Sequence, residues 1–136
     1  MLTPEEIVQK MMAEDQMSQW LGIEVTSYSK GNVVCEMTVR KEMVNGFNIA
    51  HGGITYSLAD SALAFSVNAY GIHSVSVETS ISHLKPVKIG DKLRTETSEI
   101  SLSNRIGVLT TNVYNQEAVL VAAFKGTVYR TGKNWE

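Results

Sequence analysis

Between Gly52 and Tyr70 the chain carries one residue that is charged at neutral pH when unperturbed, Asp60. Its neighbours are apolar, small or hydroxylic, so the carboxylate sits in a run with little else to solvate it. A helix-dipole explanation fails, because favourable carboxylates occupy the first turn and Asp60 lies roughly two turns in. Burying an unpaired carboxylate is costly, and acids placed this way concentrate at functional sites; a structural salt bridge is the competing explanation. Just upstream, Gly52 and Gly53 stand where a helix would begin, and unobstructed N–H groups there present donors to an anion or a developing oxyanion. Gly-Gly is also ordinary turn material. Asn45 and His51 are open in the same sense, since a loop asparagine commonly forms a turn and a single histidine is commonly a hydrogen-bonded structural group.

The elements that must position these residues can be read in order. Thr3-Pro4-Glu5-Glu6 predicts a helix start, with Thr3 as N-cap, Pro4 in the first turn and Glu6 closing a capping box. Ile7, Met11 and Met12 give that helix an apolar stripe for packing, and Gly22 closes the region. Ile23 to Ser29 and Val33 to Arg40 alternate about Lys30-Gly31-Asn32 and predict a hairpin, with Val33, Cys35, Met37 and Val39 on the core face. Met43 to Ala50 reads as a loop. Ile54 to Tyr70 is apolar on nearly every side, which marks a buried helix stopped at Gly71. Four antiparallel strands are predicted beyond it, at Ser74 to Leu84, Asp91 to Leu102, Ile106 to Tyr114 and Val119 to Arg130. The last, apolar on both faces from Ala118 to Phe124, should lie centrally in the sheet. Thr131 to Glu136 reads as a short surface end.

Whole-chain properties narrow the function classes. One domain spanning 1–136 accommodates all these elements. Apolar residues make up 43% and charged residues 19%, and no Lys/Arg run supplies the footprint of a nucleic-acid binder. No stretch is apolar enough to span a bilayer, and Glu5 and Glu6 stand where a leader would be basic, so a cytoplasmic protein is expected. The single cysteine fits that compartment. His73, Glu78 and His83 are five apart, which on a strand turns Glu78 away from both histidines and makes a poor metal site. No metal or other cofactor is called for. Ser76 shares the polar side of its strand with Ser74 and Glu78.

From Asn45-Gly46 through His51-Gly52-Gly53 to Leu58-Ala59-Asp60, then Ser61-Ala62 and Asn68, the sequence resembles the PaaI-type branch of the hotdog thioesterases. Val75-Ser76-Val77-Glu78 and Leu84-Lys85-Pro86-Val87-Lys88-Ile89-Gly90-Asp91 extend the likeness over nearly the whole chain. The resemblance implies an α+β hotdog fold, a long central helix wrapped by a curved antiparallel sheet of about six strands. It implies an acyl-CoA thioesterase whose sites are shared between two subunits, a homodimer at least and usually a homotetramer. By matching position, Asp60 is the nucleophile or general base and Gly52 the oxyanion donor. Asn45 and His51 are positioning groups, and Ser76 can orient the attacking water. Gly53 joins the substrate-binding set; Lys85, Lys88 and Arg105 are candidates for the CoA phosphates, with plain solvated charge as the alternative.

The substrate implied is an aromatic, phenylacetyl-type acyl-CoA of phenylacetate degradation; medium- or long-chain acyl-CoA is the alternative. Attack on a thioester carbonyl places negative charge on its oxygen, where a preorganised N–H acts, while a departing thiolate asks little of a general acid. A hotdog dehydratase is a rival without its His-Phe-Pro segment here, and a non-catalytic acyl-CoA-binding protein would have no use for Asp60.

Overall fold

A computed structural model of the chain describes residues 1–136. Helix α1 (Pro4–Glu14) begins with the expected capping box: Thr3 Oγ1 accepts from the Glu6 N–H at 3.2 Å, and Glu6 Oε2 accepts from the Thr3 N–H at 2.8 Å. Ile7 and Val8 are its buried residues. The helix does not run on to Gly22 as one piece. Asp15 interrupts it and caps a second helix, α2 (Gln16–Leu21), by accepting from the Ser18 N–H at 2.9 Å. Gly22, at φ 73°, ends α2 in the left-handed region.

Strands β1 (Glu24–Ser29) and β2 (Asn32–Thr38) form the expected hairpin. Gly31 sits in its turn at φ 81°, and a Cβ there would meet the Tyr70 hydroxyl at 2.5 Å, so both conformation and space require glycine. Val33, Cys35, Met37 and Val39 are buried as their alternation predicts. Burial pushes the Cys35 thiol up to about 12, which makes it an inert core residue.

The long helix α3 (Gly52–Asn68) packs across a six-stranded antiparallel sheet in the order β1-β2-β4-β5-β6-β3, where β3 is Ile72–His83, β4 Lys92–Leu102, β5 Ile106–Tyr114 and β6 Leu120–Asn134. Leu58, Leu63 and Phe65 of α3 meet Leu93, Leu109, Phe124 and Val128 of the sheet in one core. This is the expected hotdog architecture. Strand β6 lies inside the sheet, between β5 and β3, as its two apolar faces require. It begins only at Leu120, because Ala118, at φ 59°, belongs to the preceding turn.

The C-terminal end corrects the expectation of a loose tail. Strand β6 continues to Asn134, where it pairs with Ile72. Trp135 then stacks on His73 at 4.0 Å, and its Nε1 donates to Asn68 Oδ1 at 3.0 Å. Asn68 also accepts from the Ser74 N–H and donates to the Ala64 and Ser74 carbonyls, so this buried amide fastens the end of α3 to the start of β3. A short, mostly polar tail had no local signal for this pairing, since its partner lies about sixty residues upstream.

Candidate active site

The first turn of α3 is organised by His51, its N-cap, whose Nδ1 accepts from the Gly53 N–H at 2.8 Å. That bond leaves Nε2 as the protonated nitrogen of the neutral ring, facing outward from an exposed side chain. Ile54 N–H is engaged by the His51 carbonyl at 2.9 Å. Gly52 N–H has no intramolecular acceptor and is the free donor of the turn. Gly53, by contrast, has its N–H occupied.

Asn45 holds the loop that leads into the helix. Its Oδ1 accepts from the Phe47 N–H at 2.9 Å and the Ile49 N–H at 3.4 Å, and Asn48 closes the turn in the left-handed region at φ 61°. The Asn45 Nδ2 amide has no acceptor within the chain. It lines a cavity of about 380 Å³ whose walls include Ala50, Gly52, Thr55, His83 and Lys85. Thr55 has no sequence signal as a site residue, and His83, a poor metal ligand by its spacing, joins it here in a different setting. Thr55 Oγ1 donates to the Gly52 carbonyl at 3.2 Å and lies 3.3 Å from His83 Nδ1. Only the register of β3 against α3 brings His83 there, so no local pattern could have signalled it.

Asp60 lies in the middle of α3, within electrostatic reach of Asp15 at the start of α2. It is half-buried, and its carboxyl is held above the ordinary range, first by burial and then by the nearby Asp15 carboxylate. Asp15 itself accepts from Ser18 Oγ at 2.6 Å, and Ser18 Oγ meets Ser61 Oγ at 2.8 Å, so the second acid is spoken for. Asp60 makes no hydrogen bond and no ion pair; the ion pairs of the chain are Arg40–Glu42 and Arg94–Glu96. A salt bridge therefore does not explain it. Nor does it line the Gly52 cavity: eight residues of helix separate the two, about 12 Å of axial rise.

A buried helix with a glycine donor at its start and an unpaired acid in its middle can be compared with known proteins. The thioesterase superfamily model matches residues 47–122, the segment from this loop through α3 into β6. The chain belongs to the thioesterase superfamily. Its class of chemistry, thioester hydrolysis, follows from that membership. Among curated relatives, the acyl-coenzyme A thioesterase PaaI of Escherichia coli is 34% identical over 122 residues, covering 90% of this chain and 87% of that protein. The solved E. coli PaaI structure, from the phenylacetic acid degradation operon, superposes with a TM-score of 0.93 at 32% identity, over 96% of this chain and 95% of the other. A Streptococcus mutans protein bound to acetyl-CoA superposes at 0.80 and 28% identity, over 83% and 91%.

In this thioesterase the remaining candidates are spread out. Lys85 stands at the mouth of the Gly52 cavity and Lys88 in the turn beyond it, where the Lys88 N–H donates to Asp91 Oδ2 at 2.9 Å. Ser76 is exposed on β3, one of the two edge strands, opposite Val128. Arg105 is elsewhere: its Nη1 donates to the Thr131 carbonyl at 3.1 Å, at the opposite end of β6 from the cavity residue Val121. Within one chain, then, the cavity gathers Asn45, Gly52 and Lys85, and leaves Asp60, Ser76 and Arg105 apart. No helix is long and apolar enough to cross a membrane.

Proposed function

We propose that the chain hydrolyses an aromatic, phenylacetyl-type acyl-CoA to the free acid and CoA, with Asp60 as nucleophile or general base. One observation carries the reading: Asp60 is a half-buried carboxylate, raised from its ordinary pKa and without a partner, on an otherwise apolar helix. A carboxylate kept free in this way is available to a water molecule or to a carbonyl carbon. The acyl-CoA carrier is supported by the E. coli relative and by the acetyl-CoA-bound S. mutans structure. The aromatic acyl group is supported by the operon of E. coli PaaI and by the sequence resemblance.

Acid and donor act across two subunits. About 12 Å along one helix is more than a thioester spans between its oxygen and the atom under attack. The carbonyl oxygen is therefore held by Gly52 N–H of one subunit, while Asp60 of the partner subunit faces the carbonyl carbon. The outer edge of β3 supports the pairing, because it leaves a twelve-residue strand open with Val75 and Val77 exposed. A homodimer is the smallest active unit in this reading, and a homotetramer its solution form.

The donor at Gly52 contributes about a hundred- to a thousandfold in rate. Asn45 Nδ2 and His51 Nε2–H are the other unclaimed donors near it, Ser76 orients water, and Lys85 and Lys88 meet the CoA phosphates. A lone, reduced cysteine suits a cytoplasmic location. The test is thiol release from a panel of acyl-CoA esters by the wild type and Asp60→Asn. The wild type is expected to release CoA and the variant to lose most turnover. Undiminished hydrolysis by Asp60→Asn overturns the role of the acid, and a preference for straight medium or long chains overturns the aromatic assignment.

A further inference from the structure

The imidazole of His83 takes no part in the chemistry above, yet it rests against the oxyanion donor. A Cβ built on Gly52 would meet His83 Nε2 at 3.0 Å and Cε1 at 3.3 Å, so the ring lies over that glycine's α-carbon. Its other nitrogen is tied down. Nδ1 lies 3.3 Å from Thr55 Oγ1, which lies 3.2 Å from the Gly52 carbonyl. The carbonyl only accepts and the hydroxyl has one proton, so both bonds form when Nδ1 carries a proton and donates it to Thr55. Nε2, on the Gly52 side of the cavity, is then the nitrogen without a partner in the chain. No carboxylate lines this cavity; Lys85 at its mouth and His51 at the head of α3 are the titratable groups beside it.

Building on the thioester reading, we infer that His83 is a catalytic acid that delivers its Nε2 proton to the leaving sulfur. With the carbonyl oxygen on Gly52 N–H, the sulfur, bonded to the same carbon, falls beside the ring. Water adds to the carbonyl carbon and gives one proton to Asp60 of the partner subunit. The C–S bond then breaks, its electron pair goes to sulfur, and the Nε2 proton follows, so CoA departs as the thiol. The ring is left neutral, with Nδ1–H still on Thr55. Asp60 returns its proton to solvent, and solvent reprotonates Nε2. The sum is thioester plus water giving acid plus thiol.

A leaving-group comparison tests this. The value of kcat/KM is measured for the wild type, His83→Gln and Thr55→Val, on an acyl-CoA and on the thiophenyl ester of the same acid, whose arylthiolate departs without a proton. His83→Gln is expected to lose about tenfold on the CoA ester and under about twofold on the aryl ester. Thr55→Val, which frees Nδ1, follows the same selective pattern with a smaller loss. Equal losses on both esters, or none on either, overturn the acid role. A wild type that releases thiol from no ester overturns the hydrolase reading instead. His83 is exposed, and melting temperature and oligomer size of each variant register any structural effect separately.

Discussion

At the start of α3 nearly every polar group has a partner: His51 holds the Gly53 N–H, Thr55 closes on the Gly52 carbonyl, and Asn45 braces the loop. Two turns on, Asp60 has none, while its neighbours Ser61, Ser18 and Asp15 satisfy one another. The first region is built by local hydrogen bonds that leave the Gly52 backbone N–H free; the second is built by withholding them from one acid. Fixed hydrogen bonds keep a donor in place during reaction, whereas an acid left half-buried and without them has its pKa raised and becomes the better proton acceptor.

Substitutions at each end should break this contrast in different ways. The largest effect is expected at Asp60→Asn, a loss of at least about a hundredfold in kcat with fold and oligomer intact, read by steady-state kinetics and gel filtration. Gly52→Ala comes next: its Cβ would press on the imidazole at 3.0 Å, and about a tenfold fall in kcat/KM is expected from displacing the ring beside the donor. Wild-type activity in Gly52→Ala would show that the close fit at the helix start is dispensable. His51→Ala removes the cap and should cost about 1 kcal/mol, a few degrees in thermal melting.

The smallest effect has the opposite sign. Because burial raises the Asp60 pKa, the folded state favours its protonated form, so its contribution to stability is fullest below the unfolded pKa and declines as pH rises through the raised one. Asp60→Asn should therefore melt above the wild type at neutral pH, and the gap should close on acidification. A variant that melts lower at neutral pH would mean the carboxylate has a stabilising partner after all.

Asp60 was legible in the sequence because a single charge in a long apolar run has no camouflage. The same holds for the capping box at Thr3 and the alternation about Cys35, where the signal lies within one turn or one strand. What escaped depends on register between distant segments. His83 gains its place from the pairing of β3 with β6 and its packing against α3, and Trp135 from the last pair of the same ladder. Asp15 escaped differently: an aspartate within a polar stretch of helix reads as surface charge, and only the Ser18 bond reveals a second N-cap.

The stacking of Trp135 on His73 also gives the molecule an optical reporter of its own. Its indole, bonded to Asn68, senses whether the last turn of α3 is closed, whereas Trp20 lies exposed beneath the Arg40 guanidinium. Emission from Trp135 would therefore follow fraying at one end of the helix while thiol release follows chemistry at the other. Whether substrate binding is felt along the whole length of α3 becomes a measurement needing no added label.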